Sequence, residues 1–319
     1  MPPVPRGGKG PARRVTGRER GESLVWEIHA TMPLLVALAL ALPPSYDLLI
    51  PLVGAESLHV AITGTGEPVV LIPGLFGSAF GFRKIVPLLA EAGYETIVIE
   101  PLGIGSSSRP PKADYSLTAQ ADRVAAVMDT LGVDHAIVIA HSAGGSEALR
   151  LAYRRPTLVR ALISIEGGPT ESLTTPAFRR ALRFAPWIKL FGGIKLIRWK
   201  MHDMLVESLG DASWVTDEVV RGYTADAAQQ LDATLKTYLA MAATRERERL
   251  EPHLGQIGCA VLLLVGSARH DGDVGPDEIA LLRARLRSFA VDTVPGAGHF
   301  LQEERPGAVL AAVEKVDGR

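Results

Sequence analysis

A serine lies where a predicted strand meets a predicted helix, and its hydroxyl could act as a nucleophile. Ser142 belongs to the stretch AIVIAHSAGGSEAL, in which an apolar, β-branched run leads into small residues and then into a segment of helical composition. A buried strand that turns sharply into a helix would expose the serine near the positive end of the helix dipole. The alternative is a serine that only caps the helix. We favour the nucleophile, because the residues on either side, Ala140 and Gly144, are small enough for a tight turn.

A serine hydroxyl is a weak nucleophile and needs an adjacent general base. His299 is the best candidate among the eight histidines, because it follows the last predicted strand in the glycine-rich turn VPGAGHF. From that turn its ring could reach back to Ser142. His141 is the neighbour of the serine in the tight turn. Five other histidines fall in predicted tails, sheet edges or a helical insertion: His29, His59, His135, His202 and His253.

Three acidic residues could orient the histidine and stabilise its cationic form. Glu166 ends the predicted buried strand VRALISIEG, where an unpaired charge would be costly, so it needs a partner such as His299. Asp271 is the alternative acid and Asp273 is a third candidate, both in the loop GSARHDGDVG after a later predicted strand. We favour Glu166.

The elements that would position these side chains alternate along the chain from residue 56. Apolar runs such as PVVLIPG alternate with helical segments such as LTAQADRVAAVMDTLG. This alternation predicts an α/β fold with a mostly parallel central sheet and helices on both faces. We assign residues 56–168 and 258–319 to this core, and we expect ligands at the carboxyl ends of its strands.

Residues 169–257 do not alternate, and their composition predicts a helical cap inserted between two strands. The segment contains three of the four tryptophans, Trp187, Trp199 and Trp214. Such a cap could supply an apolar pocket and exclude water from the serine. The alternative for each tryptophan is a place in the segment's own core.

The first 55 residues differ in composition from the rest. Residues 1–31 are rich in Pro, Gly and Arg and are predicted to be a disordered, basic tail. Residues 32–55 include the apolar run MPLLVALALALPP, which has the length of a signal peptide or an N-terminal anchor. We therefore expect export or membrane association through this segment. The alternative is an apolar arm that packs on a cytoplasmic protein.

Charge and composition indicate which classes of binding partner to expect. The formal net charge of -1 gives no sign of a nucleic-acid surface, so we expect a small-molecule substrate and no nucleic acid. The single cysteine, Cys259, excludes an internal disulfide and a cysteine zinc site. We expect no cofactor and no metal.

The chain from residue 56 resembles the α/β-hydrolase superfamily, in the branch of esterases, haloperoxidase-like perhydrolases and carbon–carbon hydrolases. Three stretches carry the resemblance in chain order: VVLIPGLFGSAFGF with the later GIGSSSRP, then AHSAG, then VPGAGHFLQEERP. AHSAG resembles the nucleophile elbow, with Ala140 in the place of the first glycine. The usual place of the family's aspartate, three residues after Gly266, is occupied by Arg269.

The resemblance implies a cofactor-independent serine hydrolase that cleaves an apolar carboxylic ester through an acyl-enzyme on Ser142. It also implies an oxyanion hole formed by the backbone N–H of Ala143 and that of Leu75 or Phe76. Pro73 stands where many relatives have histidine. Acyl transfer, perhydrolysis, amide hydrolysis and carbon–carbon cleavage use the same side chains. A ligand-binding homologue with little turnover and a membrane-tethered interaction protein also stay open.

Overall fold

The computed structural model describes residues 43–182, 192–270 and 272–318, and an eight-stranded sheet lies at its centre. The strands are β1 (Ser45–Pro51), β2 (Ser57–Thr63), β3 (Glu67–Ile72), β4 (Tyr94–Ile99), β5 (Ala136–His141), β6 (Val159–Ile165), β7 (Ala260–Gly266) and β8 (Phe289–Val294). Their order is β1-β2-β4-β3-β5-β6-β7-β8. The pairs β1–β2 and β2–β4 are antiparallel, and the other five pairs are parallel. The predicted mostly parallel sheet is confirmed.

Helices connect the strands. They are α1 (Ile85–Glu91), α2 (Leu117–Leu131), α3 (Ala143–Arg154), α4 (Pro176–Ala181), α5 (Gly193–Glu207), α6 (Asp217–Tyr223), α7 (Ala225–Gln229), α8 (Leu231–Ala243), α9 (Pro276–Arg285), α10 (Leu301–Glu304) and α11 (Pro306–Asp317), with short 3₁₀ helices at Ala79–Phe82 and Glu251–Gln256. Helices α4 to α8 all lie between β6 and β7. We refer to residues 169–257 as the insertion.

Apolar side chains fill both faces of the sheet. Along β3, Val70 and Ile72 belong to the cluster that includes α2 and α3, whereas Val69 and Leu71 belong to the cluster that includes α1 and α11. Successive side chains of a strand point to opposite faces, so a strand covered on both sides must be apolar at every position. Each fully buried side chain of this size contributes about 1.5–3 kcal/mol. This burial explains why the central strands are continuous apolar runs.

The sheet begins earlier than the sequence predicts. Ser45–Pro51 falls in the 32–55 segment, yet it pairs with β2 along its whole length. The sheet therefore starts at Ser45 rather than at the predicted residue 56. This edge strand is mostly exposed, so pairing of its backbone, and not burial, sets its place. Residues 1–42 lie outside the described residues, so the tail and the run MPLLVALALAL stay predictions.

In the described ranges, no helix has both the length and the apolar character needed to cross a bilayer.

A buried carboxyl in α3 makes stability depend on pH. Glu147 is 2 % exposed, its Oε2 atom has no hydrogen-bond partner among the described residues, and burial raises its pKa to about 8. In the unfolded chain the same carboxyl ionises near its ordinary pKa of about 4.3. Between these two values the native protein keeps a proton that the unfolded chain releases. The free energy of unfolding that the protonated Glu147 contributes at low pH is therefore lost as the pH rises from about 4.3 to about 8.

We expect the Glu147→Gln variant to lose less stability than the parent when the pH is raised from about 6 to about 9. The amide removes the ionisation while keeping the size of the side chain. Thermal unfolding at both pH values, with the exposed Glu67→Gln variant as control, measures the effect. An equal change in Tm for parent and Glu147→Gln would contradict the assignment.

Candidate active site

The backbone at Ser142 is strained, as a tight strand-to-helix turn requires. Ser142 follows β5, precedes α3, and has φ 54° and ψ −123°. A positive φ in a non-glycine residue persists only where the surrounding structure enforces it, and such strain concentrates at functional sites. The N–H of Ser142 donates to the carbonyl of Ile165 at 2.8 Å. The turn therefore holds the serine beside the end of β6, at the N-terminus of a twelve-residue helix.

Small residues after the serine allow close backbone approach. A Cβ added at Gly144 would lie 2.8 Å from the carbonyl oxygen of Ile72, and one at Gly145 would lie 2.4 Å from Ser164 Oγ. Neither distance is tolerable for a side chain. These contacts give the physical reason for the small residues that the sequence analysis singled out around Ser142.

The loop after β3 crosses over the serine and offers backbone donors. A Cβ added at Gly74 would lie 2.8 Å from the carbonyl oxygen of His141 and 2.9 Å from Ser142 Cβ. Within the described chain, the N–H groups of Leu75, Phe76 and Ala143 have no hydrogen-bond acceptor. Ala143 is the first residue of α3, whose early N–H groups have no acceptor within the helix. The predicted oxyanion donors are thus available on both sides of Ser142.

Replacing Gly74 by alanine should damage the site without unfolding the protein. The added methyl group would press on backbone and on Ser142 itself, so the loop that carries Leu75 must move. Loss of one oxyanion donor lowers kcat by about 100-fold or more, and we expect a loss of that size. Steady-state kinetics measure it, with Gly307→Ala as control because a Cβ at Gly307 meets nothing within 4 Å. Unchanged kcat in Gly74→Ala would contradict this placement of the hole.

The buried carboxylate of Glu100 is hydrogen-bonded to the end of the same loop. Glu100 Oε1 accepts the N–H of Ala79 at 2.7 Å, and Oε2 accepts the N–H of Ser106 at 2.6 Å. A Cβ at Gly105 would lie 2.1 Å from Glu100 Oε2, which explains the glycine in GIGSSSRP. Glu100 therefore ties the oxyanion loop to this glycine-rich loop.

His299 lies beside the serine turn, as predicted. Its ring centroid is 4.9 Å from that of His141, the residue before Ser142, and its carbonyl oxygen is 3.0 Å from His141 Nε2. Over the described ranges, Nδ1 of His299 is buried and has no hydrogen-bond partner, and no hydrogen bond joins the Ser142 hydroxyl to this ring. Catalytic hydrogen bonds are often long without substrate and shorten when it binds.

The insertion holds the histidine loop in place. The N–H of His299 donates to the carbonyl of Ser208 at 2.7 Å. Glu304 accepts the N–H of Gly298 at 2.8 Å through Oε1 and that of Gly210 at 2.9 Å through Oε2. One buried carboxylate thereby joins the turn before His299 to the segment after α5. The position of the predicted base depends on the insertion.

Glu166, the favoured acid, lies at the same end of the sheet. It is buried, has φ 48°, and accepts the N–H of Gly266 at 2.5 Å through Oε1. Its Oε2 lies 3.5 Å from Nε2 of His270. One ligand atom each of Glu166, His270 and His299 lies within 4.8 Å of the other two. The structure thus brings Glu166 close to His299, and it adds His270.

Of the other two acid candidates, the described residues include Asp273 alone. Asp271 lies outside the described residues. Asp273 is exposed. No role was predicted for His270 from the sequence. The position of His270 in the loop after Gly266, at the carboxyl end of β7, is the signal that could have found it.

Burial sets the charge of these groups. It lowers the pKa of His299 well below its ordinary value, and nearby His141 and His270 lower this pKa further. Burial also lowers the pKa of His141 to about 4. Burial raises the pKa of Glu166, while the Gly266 N–H and His270 oppose that rise. His299 is therefore neutral at neutral pH, the form that can accept a proton from a serine.

An apolar cavity of about 470 Å³ lies beneath the insertion, within the range of small-molecule sites. It reaches the oxyanion loop at Phe76, whose ring packs edge-on against Phe178 and Tyr238 at 4.8 and 5.2 Å. Other residues that line it are Leu182, Leu196, Ile197, Met201, Met204 and Leu235. Trp199 is exposed and Trp214 packs near Phe300, and neither lines this cavity; Trp187 lies outside the described residues.

Known proteins resemble this chain in sequence. A family model described as alpha/beta hydrolase fold matches residues 67–192. A 2-hydroxy-6-oxo-6-phenylhexa-2,4-dienoate hydrolase of Burkholderia cepacia is 29% identical over 258 residues, 79% of this chain and 87% of the relative. An sn-1-specific diacylglycerol lipase of Mus musculus is 25% identical over 254 residues, 77% of this chain and 79% of the relative.

A solved structure is similar in fold. The epoxide hydrolase CorEH without ligand superimposes with a TM-score of 0.70 at 22% identity, covering 86% of this chain and 98% of that one. At this identity the likeness speaks for the fold alone. Together with the strained serine, the glycine-rich loops and the histidine turn in their expected order, the matches in sequence support a hydrolase of the α/β-hydrolase superfamily, and the likeness in structure shows the α/β-hydrolase fold.

Proposed function

We propose that this hydrolase cleaves carboxylic esters with an apolar acyl or alcohol part, through an acyl-enzyme on Ser142. The observation that carries the proposal is the strained conformation of Ser142, φ 54° between a buried strand and a helix, with unpaired backbone N–H groups on both sides. A serine whose only task was to cap the helix would not need this conformation, and its side chain accepts no cap hydrogen bond.

The reaction has two halves. Ser142 Oγ attacks the ester carbonyl carbon while neutral His299 takes the hydroxyl proton. The N–H groups of Ala143 and of Leu75 or Phe76 stabilise the oxyanion. The bond between the carbonyl carbon and the alcohol oxygen then breaks, and His299 returns its proton to the departing alcohol. A water molecule, deprotonated by His299, attacks the acyl-enzyme, and the proton returns to Ser142 as the carboxylic acid leaves.

Glu166 is the acid in this proposal. An ionised carboxylate near Nδ1 would orient the ring and stabilise the imidazolium that forms in each half-reaction. Two features support the ionised form against burial, the 2.5 Å hydrogen bond from the Gly266 N–H and the approach of His270. Asp271 remains the alternative acid.

The cavity beneath the insertion supports an apolar substrate. Its lining is dominated by aliphatic and aromatic side chains, with few polar groups such as Lys200, Thr224 and Thr234. The Mus musculus relative is, by its name, an sn-1-specific diacylglycerol lipase. A serine at the nucleophile position, in place of an aspartate, argues against epoxide hydrolase chemistry.

Multiple-turnover hydrolysis of p-nitrophenyl esters of increasing acyl length tests the proposal. We expect turnover with short and medium acyl chains, with kcat/KM rising while the chain still fits the cavity. Narrowing the cavity by Ala227→Leu, at its lining, should lower kcat/KM for the longer esters more than for the acetate. Tight binding of an apolar ester without turnover would instead favour a ligand-binding homologue.

Carbon–carbon hydrolysis is the second candidate. It is favoured by the Burkholderia cepacia relative, whose name describes a hydrolase of a 2-hydroxy-6-oxo-dienoate. The same serine and histidine can serve both reactions. Parallel assays with p-nitrophenyl butyrate and with such a dienoate would separate them, because a carbon–carbon hydrolase should prefer the dienoate by a large factor in kcat/KM.

A further inference from the structure

Three buried polar atoms without hydrogen-bond partners converge at the carboxyl end of the sheet. They are Oε2 of Glu166, Nε2 of His270 and Nδ1 of His299, each lacking a hydrogen-bond partner in the part of the chain that the structure describes. One ligand atom of each residue lies within 4.8 Å of the other two. Buried polar atoms are nearly always paired. Among the described residues no group bonds to all three atoms, so one partner in the space between them could contact each of them.

The hydrogen bonds around these atoms define what that partner must be. Nδ1 of His270 lies 2.8 Å from the carbonyl oxygen of Ala268, and a carbonyl only accepts, so Nδ1 carries the hydrogen. Nε2 of the same ring faces Glu166 Oε2 at 3.5 Å, longer than a normal hydrogen bond between nitrogen and oxygen. An imidazole nitrogen and a carboxylate oxygen can both act as ligands to a cation that lies between them. A proton can satisfy this one pair, but only a larger cation can also reach His299.

We propose that Glu166, His270 and His299 form a binding site for a divalent transition metal ion of the zinc class. Two imidazoles and one carboxylate are a ligand set that Zn²⁺ accepts, with the fourth position open. Metal–ligand bonds of about 2.0–2.1 Å place tetrahedral ligands about 3.4 Å apart, and the 3.5 Å separation of Glu166 and His270 fits this geometry. The ligand atom of His299 lies within 4.8 Å of the other two, so the ring must approach by up to about 1.4 Å to complete the set.

The surroundings of two ligands are already those of a metal site. Metal-binding histidines usually donate their second N–H to a carbonyl, which fixes the tautomer. His270 does so to Ala268. Ligating carboxylates are usually hydrogen-bonded as well, and Glu166 accepts the Gly266 N–H through its other oxygen. Two of the three ligands are therefore oriented in advance.

The site would make hydrolysis sensitive to metal. A cation on Nδ1 of His299 takes the position of the acid and lowers the basicity of the ring, so the bound metal inhibits the reaction proposed for Ser142. This inference departs from the sequence expectation of no metal. It goes beyond the proposed function and does not depend on it, because Ser142 is not a ligand.

Metal binding is measured directly on the full chain carrying Ser142→Ala, which removes the proposed nucleophile and keeps all three ligands. We expect Co²⁺ to bind with one equivalent and to give the visible absorption of a four-coordinate ion, and Zn²⁺ to displace it. Adding His270→Gln should weaken Co²⁺ binding by at least about 100-fold, the upper end of the cost of losing an outer-shell partner. His202→Gln, at a half-exposed histidine of the insertion, should change nothing.

A second variant guards against a folding defect. His270→Cys keeps a ligand for soft metals, so it should bind Co²⁺ and gain a thiolate-to-cobalt charge-transfer band. No Co²⁺ or Zn²⁺ binding by the Ser142→Ala protein, or binding equally tight after His270→Gln, would overturn the site. Metal binding in a protein that never hydrolyses esters would refute the proposed function and leave the metal site standing. Ester hydrolysis without metal binding would refute the metal site and leave the proposed function standing.

Discussion

The Ser142→Ala variant is expected to lose about 10⁴-fold or more in kcat for p-nitrophenyl esters while it keeps its fold. Without the hydroxyl no acyl-enzyme can form, and only the oxyanion donors and substrate binding remain to accelerate attack by water. In serine hydrolases, removal of the nucleophile costs up to about 10⁶-fold in kcat. Initial rates under substrate saturation, with circular dichroism to verify the fold, measure the loss.

The control is a serine near the site that has no catalytic task. Ser106 is exposed, and its hydroxyl contacts Asp226 at 3.0 Å. We expect Ser106→Ala to keep kcat within about twofold of the parent, because surface substitutions of this kind are nearly neutral. Ester hydrolysis that survives in Ser142→Ala would mean that another residue performs the chemistry.

The Glu166→Gln variant is expected to lose kcat by about 10⁴-fold, the cost observed when a triad acid becomes an amide. The amide keeps the size of the side chain but cannot stabilise the imidazolium of His299. It also changes the hydrogen bonding at a buried position, where Oε1 accepts the Gly266 N–H. Because Glu166 does not line the apolar cavity that would bind the substrate, the loss should appear in kcat rather than in KM.

Two aspartate variants serve as comparisons. Asp273→Asn changes an exposed side chain and should leave kcat unchanged. Asp271→Asn addresses the alternative acid. We expect Glu166→Gln to lose far more turnover than Asp271→Asn, and the opposite ranking would assign the acid to Asp271.

The parts of the fold that burial dictates could be predicted from the sequence. Strand β5 is apolar at every position before His141 because helices cover both of its faces, so the run AIVIA identifies it. Ser142 and His299 could be found because each sits in a local pattern of small residues that only a tight turn requires. Gly144, for example, lies against the Ile72 carbonyl at a distance that admits no side chain.

The missed features depend on contacts between distant segments. Strand β1 is an exposed edge strand, and only its pairing with β2 defines it. Its residues were therefore assigned to the apolar segment before it. His270 acquires its importance from Glu166, which is distant in sequence and lies 3.5 Å away in space. Glu304, which joins the His299 loop to the insertion, acts through backbone N–H groups that no sequence pattern marks.

If Ser142 carries the acyl group, it should also react with diethyl p-nitrophenyl phosphate, and intact-protein mass spectrometry detects that reaction. We expect one diethylphosphoryl adduct per chain, located by peptide mapping on the segment that contains Ser142 and absent from Ser142→Ala. An adduct of the same yield in Ser142→Ala, or one located on another residue of the parent, would contradict it.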